Sequence, residues 1–515
     1  MVKKIFNTKF LIVFIISLLV LTLSSCGDNS KTKKKKVEDN ATTIILDYWK
    51  SGSGKEFLEA VIKKFEEKYP EYDVAFSYSS DATVLSSTIT LGEKYNGIDL
   101  YMSSALTSDF NKYLEPLDDV LEKTIEGESM SIKDKYNQTY LNALKSNDGH
   151  YYNLSFAGGY VGLVYNADVI DGVKYKVPNT TDELYQTVMR LDADGKKAWI
   201  SFSKNAGYYT YNDEVWEAQY DGLDYFTNTY LTLTDSENNS PSKDVYTTKD
   251  GRYQVLKLQE KLQNYAYIVQ SSFTDDFVSA QTKFLNGQGV FMANGTWLQN
   301  EMKTSLGKVN FKMMKTPVIS AIINKCTTIE NDKELSALVS EIDKHLKASD
   351  VPLTGTGYDV NEADRNRIYE ARNLSYSTHN ESVFLIPNYS NCKEGAKKFI
   401  EFYYSDEIIK LVEQILQSPL VINTSDGLGH DTTGWTDWDL DVLKKTNESI
   451  PIFRIKTNQS PMFTTGGLAP YAIYNYKFLF AAPNKADRRT ADEIWEDILK
   501  YANDNWEEMK TKAGF

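Results

Sequence analysis

Six polar and aromatic residues stand just beyond runs that read as strands: Trp49, Lys50 and Ser51 after the first, Asp81 after the second, Ser103 and Ser104 after the third. Ligands of open α/β sheets sit beyond the carboxyl ends of the strands. A flat aromatic ring beside groups that donate and accept hydrogen bonds suits a polar ligand with apolar faces. That is the chemistry of binding. The sequence has no Gly-x-Ser-x-Gly elbow and no His-Glu-x-x-His helix. Its histidines, His150, His345, His379 and His430, show no metal spacing, and nothing points to a cofactor.

Three further patterns carry less. Ser51-Gly52-Ser53-Gly54-Lys55 lies between a strand and a helix, as a phosphate loop would. Trp49 and Glu56 occupy positions where such a loop needs Gly and Ser or Thr, so the reading is rejected. Asp192-x-Asp194-Gly195 lacks the remaining ligand positions of a calcium loop and reads as a helix-ending turn. Cys326 and Cys392 either pair or remain small buried apolar residues.

A strand is expected over 43–49 and a helix over 55–69. Phe57, Leu58, Val61, Ile62, Phe65 and Tyr69 recur on one face of that helix before Pro70 ends it. Tyr72, Val74, Phe76 and Tyr78 then alternate as a half-buried strand does. This βαβ unit implies a parallel sheet and an α/β fold. Strands are also expected at 98–102, 150–156, 161–165 and 289–292. Thr180 and Glu183 form a capping-box pair opening a helix to about 191. Residues 199–230 read as aromatic and loop-rich and 235–249 as a surface loop. Helices are expected at 252–264, 275–286, 329–350, 394–414 and 489–510.

Length, charge and the first segment bound the setting. The chain has 515 residues with 57 basic and 71 acidic side chains, a net charge of −14, which argues against a nucleic-acid partner. Three cysteines and four histidines exclude a disulfide-dense or multi-cysteine zinc scaffold. Residues 1–25 read as a signal peptide: Lys3, Lys4 and Lys9 precede an apolar run from Phe10 to Leu23, and Leu23-Ser24-Ser25-Cys26 resembles a lipobox. Lipid on Cys26 would anchor the chain to the membrane, with 26–43 as a polar tether whose Lys31 and Lys33 to Lys36 face headgroups or solvent. Everything beyond would lie outside the cytoplasm.

In order along the chain, five stretches resemble the solute-binding proteins of carbohydrate ABC transporters, the family that includes maltose-binding protein. They are Leu46 to Trp49 with its helix; Gly97 to Tyr101 with Leu114 to Asp118; Asp148 to Leu154 with Gly162 to Asn166 and Pro178 to Leu184; Phe284 to Gly287 with Phe291 to Trp297; and Gly395 to Ile400. The resemblance implies a two-lobe periplasmic-binding-protein-like α/β fold of type II, with a ligand cleft between the lobes. It places one lobe at 44–162 plus 382–450 and the other at 163–381 plus 451–515, with 320–380 as an added segment. It implies a monomeric receptor, not an enzyme, that closes on a carbohydrate and delivers it to permease subunits. It also implies that Trp297 is a sugar platform and that Trp216, Gln219 and Tyr220 face the cleft from one helix. Phe156 and Tyr160, flanking Ala157-Gly158-Gly159, are weaker candidates, as are Trp435 and Trp438. Two alternatives stay open. A glycoside hydrolase needs two carboxylates, which carry no signature. The same fold also suits a polyamine, peptide or metal chelate, and a polyamine would need several cleft carboxylates.

Overall fold

A computed structural model describes residues 41–49, 52–79, 84–94, 96–200, 207–234, 240–305, 309–427, 429–453, 460–464, 466–468 and 477–515. Cys26, Lys50, Ser51 and Asp81 lie outside the described residues. Twelve strands occur among the described residues: β1 (Thr42–Trp49), β2 (Tyr72–Ser79), β3 (Leu100–Ser104), β4 (Leu154–Ala157), β5 (Tyr160–Asn166), β6 (Phe291–Gly295), β7 (Phe311–Met313), β8 (Thr354–Gly355), β9 (Tyr358–Asp359), β10 (Leu374–Ser377), β11 (Ser382–Leu385) and β12 (Ile450–Ile452).

The first sheet has the order β2-β1-β3-β11-β4. β1 pairs in parallel with β2 and β3, while β11 runs antiparallel to β3 and β4. The alternation that made β1 legible is real: Ile44, Leu46 and Tyr48 point inward. The following helix Glu56–Lys68 buries Phe57, Leu58, Val61, Ile62 and Phe65 against the same core. Gly54, with φ +72°, turns the chain between them, and the Tyr48 hydroxyl donates to its carbonyl at 2.6 Å. A side chain would be strained there.

The second sheet has the order β12-β10-β5-β6, with β7 also on β5. Here β5 is antiparallel to β10, β6 and β7. Each sheet has its own apolar core. Two short crossovers join the sheets, from Ala157 to Tyr160 and from Ser377 to Ser382. The chain also passes between the cores at Ile452 and Phe453, which belong to the second and first core respectively.

Several expectations change in detail. The helix expected over 394–414 is two helices, Lys393–Tyr403 and Asp406–Leu416, because Ser405 adopts extended backbone between them. The stretch 199–230 contains the helix Gly207–Asp221, buried on nearly every side, so no amphipathic period marks it in the sequence. Thr180 accepts from the Glu183 amide, but the Glu183 carboxylate accepts from Asn179 N instead of closing the box. Within the added segment, helices Asp332–Ile342 and Glu362–Asn373 pack on the second core, and β10 is part of the second sheet. The first lobe's expected return to residue 450 is also corrected. Helix Asp437–Glu448 packs with the second core through Trp438 and Val442, since its apolar side meets Phe311 of β7. Asp194 caps the helix ending at Ala193, with Gly195 at φ +72°, as a helix-ending turn requires. Cys326 and Cys392 are free thiols, so they do not pair.

The second crossover carries a buried titratable group. The His379 ring lies edge-on to Tyr140 and Tyr160, with centroids 5.4 and 5.7 Å away, and its Nδ1 is 2.8 Å from the Ser377 hydroxyl. Burial pushes its pKa down to about 4, opposed only weakly by the Pro419 carbonyl. An unfolded chain protonates its histidine near pH 6.5. The stability that neutral His379 contributes is therefore complete above about pH 6.5 and is lost as the pH falls towards 4, by about 2–3 kcal/mol. Buried carboxyls of the second lobe, Glu217 and Asp221, are raised by burial and titrate with the opposite sign. The quantity to measure is the difference in denaturant stability between wild type and His379→Gln from pH 7 to 4.5. An equally steep acid loss in the variant would remove His379 as its source.

Candidate ligand-binding cleft

The geometry of the two sheets brings particular chain ends together. The carboxyl ends of β1, β2, β3 and β4 form one rim of the first sheet, and antiparallel β11 adds its amino end to that rim. Register places Trp49 beside Ser79, and Ser104 beside Ser382. From the second sheet, β10 and β6 end, and β5 begins, on the side facing this rim. Tyr160 lies opposite Ser377, and Val161 lies opposite Gly295.

Trp297 follows β6 at this junction and is half-buried. Its benzo ring lies over Gly159 and Gly295. A Cβ on Gly295 would come within 2.3 Å of the ring, and one on Gly159 within 3.3 Å. The pyrrole edge meets Gly52 in the loop after β1, where a Cβ would come within 2.7 Å of Cδ1. Glycine at 295 is thus needed for room beneath the indole; its φ is not positive. The two lobes touch across Gly52 and Trp297.

A row of rings continues from Trp297. The Tyr208 ring centroid is 5.8 Å from it, Tyr211 is 6.3 Å from Tyr208, and Tyr376 stacks on Tyr211 at 4.2 Å. Tyr208 and Tyr211 stand three apart near the start of helix Gly207–Asp221, so they share one helix face. The row ends at Glu381 in the second crossover. Its Oε1 accepts from the Tyr376 hydroxyl at 2.6 Å, and the Tyr211 hydroxyl is 3.5 Å from Oε2. At the other end stands Glu301, which accepts from Gln281 Nε2 at 2.8 Å. Burial holds its carboxyl above the usual range, with Gln281 opposing. Burial, then the charge of Glu301, raises the Tyr208 phenol, so it remains a neutral donor. On the first rim, the two oxygens of Asp47 accept from Ser77 and Ser79 at 2.8 and 2.6 Å.

Of the residues nominated from sequence, Trp49 is half-buried at the end of β1 and Ser104 half-buried on the rim. Ser103 is buried, as is every residue of β3 before Ser104, because β3 lies inside the sheet between β1 and β11. Phe156 is corrected to a core residue. It is fully buried, stacked on Phe57 at 6.4 Å and tilted against Phe384. Tyr160 is buried under the crossovers, its hydroxyl bonded to that of Tyr140.

Trp216, Gln219 and Tyr220 are on one helix, as expected, but on its buried side. Trp216 Nε1 donates to the Pro317 carbonyl at 3.0 Å. Gln219 donates to the Ala371 carbonyl at 2.9 Å and accepts from Ile319 N at 2.8 Å, which uses both ends of its amide. Tyr220 is buried, with Lys325 Nζ 4.9 Å from its ring centre. Gln219 and Tyr220 thereby touch the added segment at Ala371 and Lys325, and Trp216 touches the chain just before it. Trp435 is buried and makes no ring contact with the aromatic row among the described residues. Trp438 donates to the Thr296 carbonyl at 3.0 Å and so supports Trp297 from behind.

Tyr208, Tyr211 and Glu381 were missed. The signal for the tyrosines was present in Tyr208-Tyr209-x-Tyr211, but only a helix turns that spacing into a shared face. Nothing local marks Glu381, which is brought into place by strand pairing.

Among known proteins, the chain matches the family model of the bacterial extracellular solute-binding proteins over residues 60–418. No curated protein sequence matches it. The solved structures it resembles include the solute-binding protein RafE in complex with raffinose, 15% identical, with a TM-score of 0.60 over 91% of this chain and 100% of that one. A structure from work on xylan utilization by Caldanaerobius polysaccharolyticus is 13% identical, with a TM-score of 0.61 over 89% and 100%. A manno-oligosaccharide-specific protein of Bifidobacterium animalis subsp. lactis, in complex with mannotriose, is 15% identical, with a TM-score of 0.56 over 93% and 96%. At these identities the likeness shows the fold, two α/β lobes.

Proposed function

The chain belongs to the bacterial extracellular solute-binding proteins, and from that premise we propose that it is a receptor for a carbohydrate, which it delivers to the permease subunits of an ABC transporter. The observation that carries the reading is the row Trp297–Tyr208–Tyr211, half-buried between the lobes and bounded by hydrogen-bonding groups. Flat rings cover the apolar faces of a pyranose, and carboxylates and hydroxyls pair with its rim. The proteins with similar folds are titled as binding raffinose, mannotriose and chitin oligosaccharide, which supports the same ligand class. Trp49, Ser104, Trp297, Tyr208, Tyr211 and Glu381 form the proposed site, with Lys50, Ser51 and Asp81 as first-lobe candidates beside them.

The mechanism is closure. The first lobe contributes the loop after β1, the second contributes the rings, and a ligand that touches both favours the closed pair of lobes. The protein performs no chemistry on the sugar. It acts as a monomer held at the membrane by lipid on Cys26, with 26–43 as tether.

Two measurements test this. In a thermal-shift screen of raffinose, mannotriose and a chitin oligosaccharide, at least one should raise the melting temperature by several degrees at about 100 Kd, where linkage contributes about 2.7 kcal/mol. The sugar should be recovered intact. A shift produced by polyamines or peptides and by no sugar would discard the carbohydrate reading, and hydrolysed sugar would discard the receptor reading. For the anchor, Cys26→Ala should move the protein from the detergent-extracted fraction to the soluble one or leave it uncleaved. A mature-sized variant that still requires detergent would refute lipidation at that residue.

A further inference from the structure

We infer that Glu381 sets the charge class of the sugar unit seated against it: that end of the cleft admits neutral and amino sugars and refuses a uronate. This rests on the carbohydrate reading above and deepens it.

Glu381 has an unusual double attachment. Its backbone carbonyl accepts from Ala105 N at 3.1 Å, which fixes it to the rim of the first sheet beside Ser104 and Ser382. Its side chain turns to the second lobe and meets Tyr376 and Tyr211. The stack of those two rings, 28° from parallel, holds the hydroxyls in place. Glu381 is half-buried at the end of the aromatic row.

Its partners among the described residues are these two neutral phenols, with no cation between them. Of the first-lobe acids on the rim, Asp47 is held by serine hydroxyls, while the candidates Lys50 and Asp81 lie outside the described residues. Lys55, further along the loop after β1, is committed to Glu59 at 2.8 Å. A carboxylate in this position has lone pairs left after its phenol bonds, and sugar hydroxyls can donate to them. An ammonium group gains more, by charge and by the neighbouring rings. A uronate brings a second negative charge to within several ångströms in a partly desolvated cleft, where such repulsion is worth roughly a hundredfold in affinity.

The test uses the mature chain and matched sets: glucose, glucosamine and glucuronate; galactose, galactosamine and galacturonate; and neutral trimers with their uronate counterparts. Calorimetry follows whichever members shift the melting temperature. Each uronate should bind at least about tenfold more weakly than its neutral counterpart. Glu381→Gln, which still accepts from Tyr376, should reduce that gap by about tenfold and weaken any amino sugar relative to the neutral one. A uronate that binds wild type as well as its neutral counterpart overturns the inference, as does an unchanged neutral-to-uronate ratio in the variant. In both cases sugar binding itself still stands. If no sugar of any charge binds, the carbohydrate reading fails and this inference with it.

Discussion

Truncation of Trp297 to Ala should weaken binding of the sugar found in the screen by about 30- to 1000-fold, the range expected when an aromatic anchor at a binding hot spot is removed. The indole is half-exposed, and its contacts on the protein side are glycine backbone at 52, 159 and 295 and the Tyr208 ring. It packs against the edge of the second core and is half-buried there. The apo variant should therefore remain folded and melt close to wild type. A fully buried aromatic would behave differently, with truncation costing about 3–5 kcal/mol of stability. Calorimetric affinity and apo melting temperature on the same preparation separate the two cases. Early melting with unchanged affinity would make Trp297 a packing residue and move the site elsewhere along the row.

The largest expected loss of stability lies away from the cleft, at Arg252. Its guanidinium is almost wholly buried and lies over the Tyr246 ring at 4.2 Å, with Tyr230 and Trp495 rings at 5.2 and 5.3 Å. It donates to the Tyr230 hydroxyl at 3.2 Å and to the Tyr246 carbonyl. Burial alone would lower its pKa, but Tyr230, Tyr246, Glu217 and Asp250 together hold it above its ordinary value. In return, Arg252 opposes the upward shift that burial and neighbouring carboxylates impose on Glu217. Arg252→Met keeps much of the volume and removes the charge, leaving Glu217 without the cation that opposes its shift and the Tyr246 carbonyl without its guanidinium donor. Breaking such an arrangement from one side costs about 3–5 kcal/mol. Denaturant unfolding should show that loss, and adding Glu217→Gln should recover part of it because the orphaned acid is then gone. If Arg252→Met alone lies within about 1 kcal/mol of wild type, the charge has no structural role and ring packing explains its burial.

What the sequence determined by itself was whatever depends on local periodicity and order. Ile44, Leu46 and Tyr48 alternate, and Phe57 to Phe65 recur at helical spacing, so the first βαβ unit and its sheet were legible. The ordered motifs pointed to the two-lobe family. The resemblance nominated Trp297, and the structure sets it where the two lobes touch, with Gly295 leaving room under its ring. Tertiary structure decided which side of an element faces ligand. Trp216, Gln219 and Tyr220 have the right types and spacing for a cleft face, but they are buried and bonded to Pro317, Ile319 and Ala371, in and just before the added segment. The side of that helix turned to the proposed cleft carries Tyr208 and Tyr211, nearer its start. Phe156 is adjacent to a crossover in sequence, yet strand alternation turns it into the first core. Glu381 carries no local pattern at all, because its place depends on pairing β11 with β3 and on two tyrosines remote from or unpatterned with it in sequence. A helix or strand announces its apolar side through spacing, whereas the direction of a polar side chain is set by partners that long-range folding brings to it.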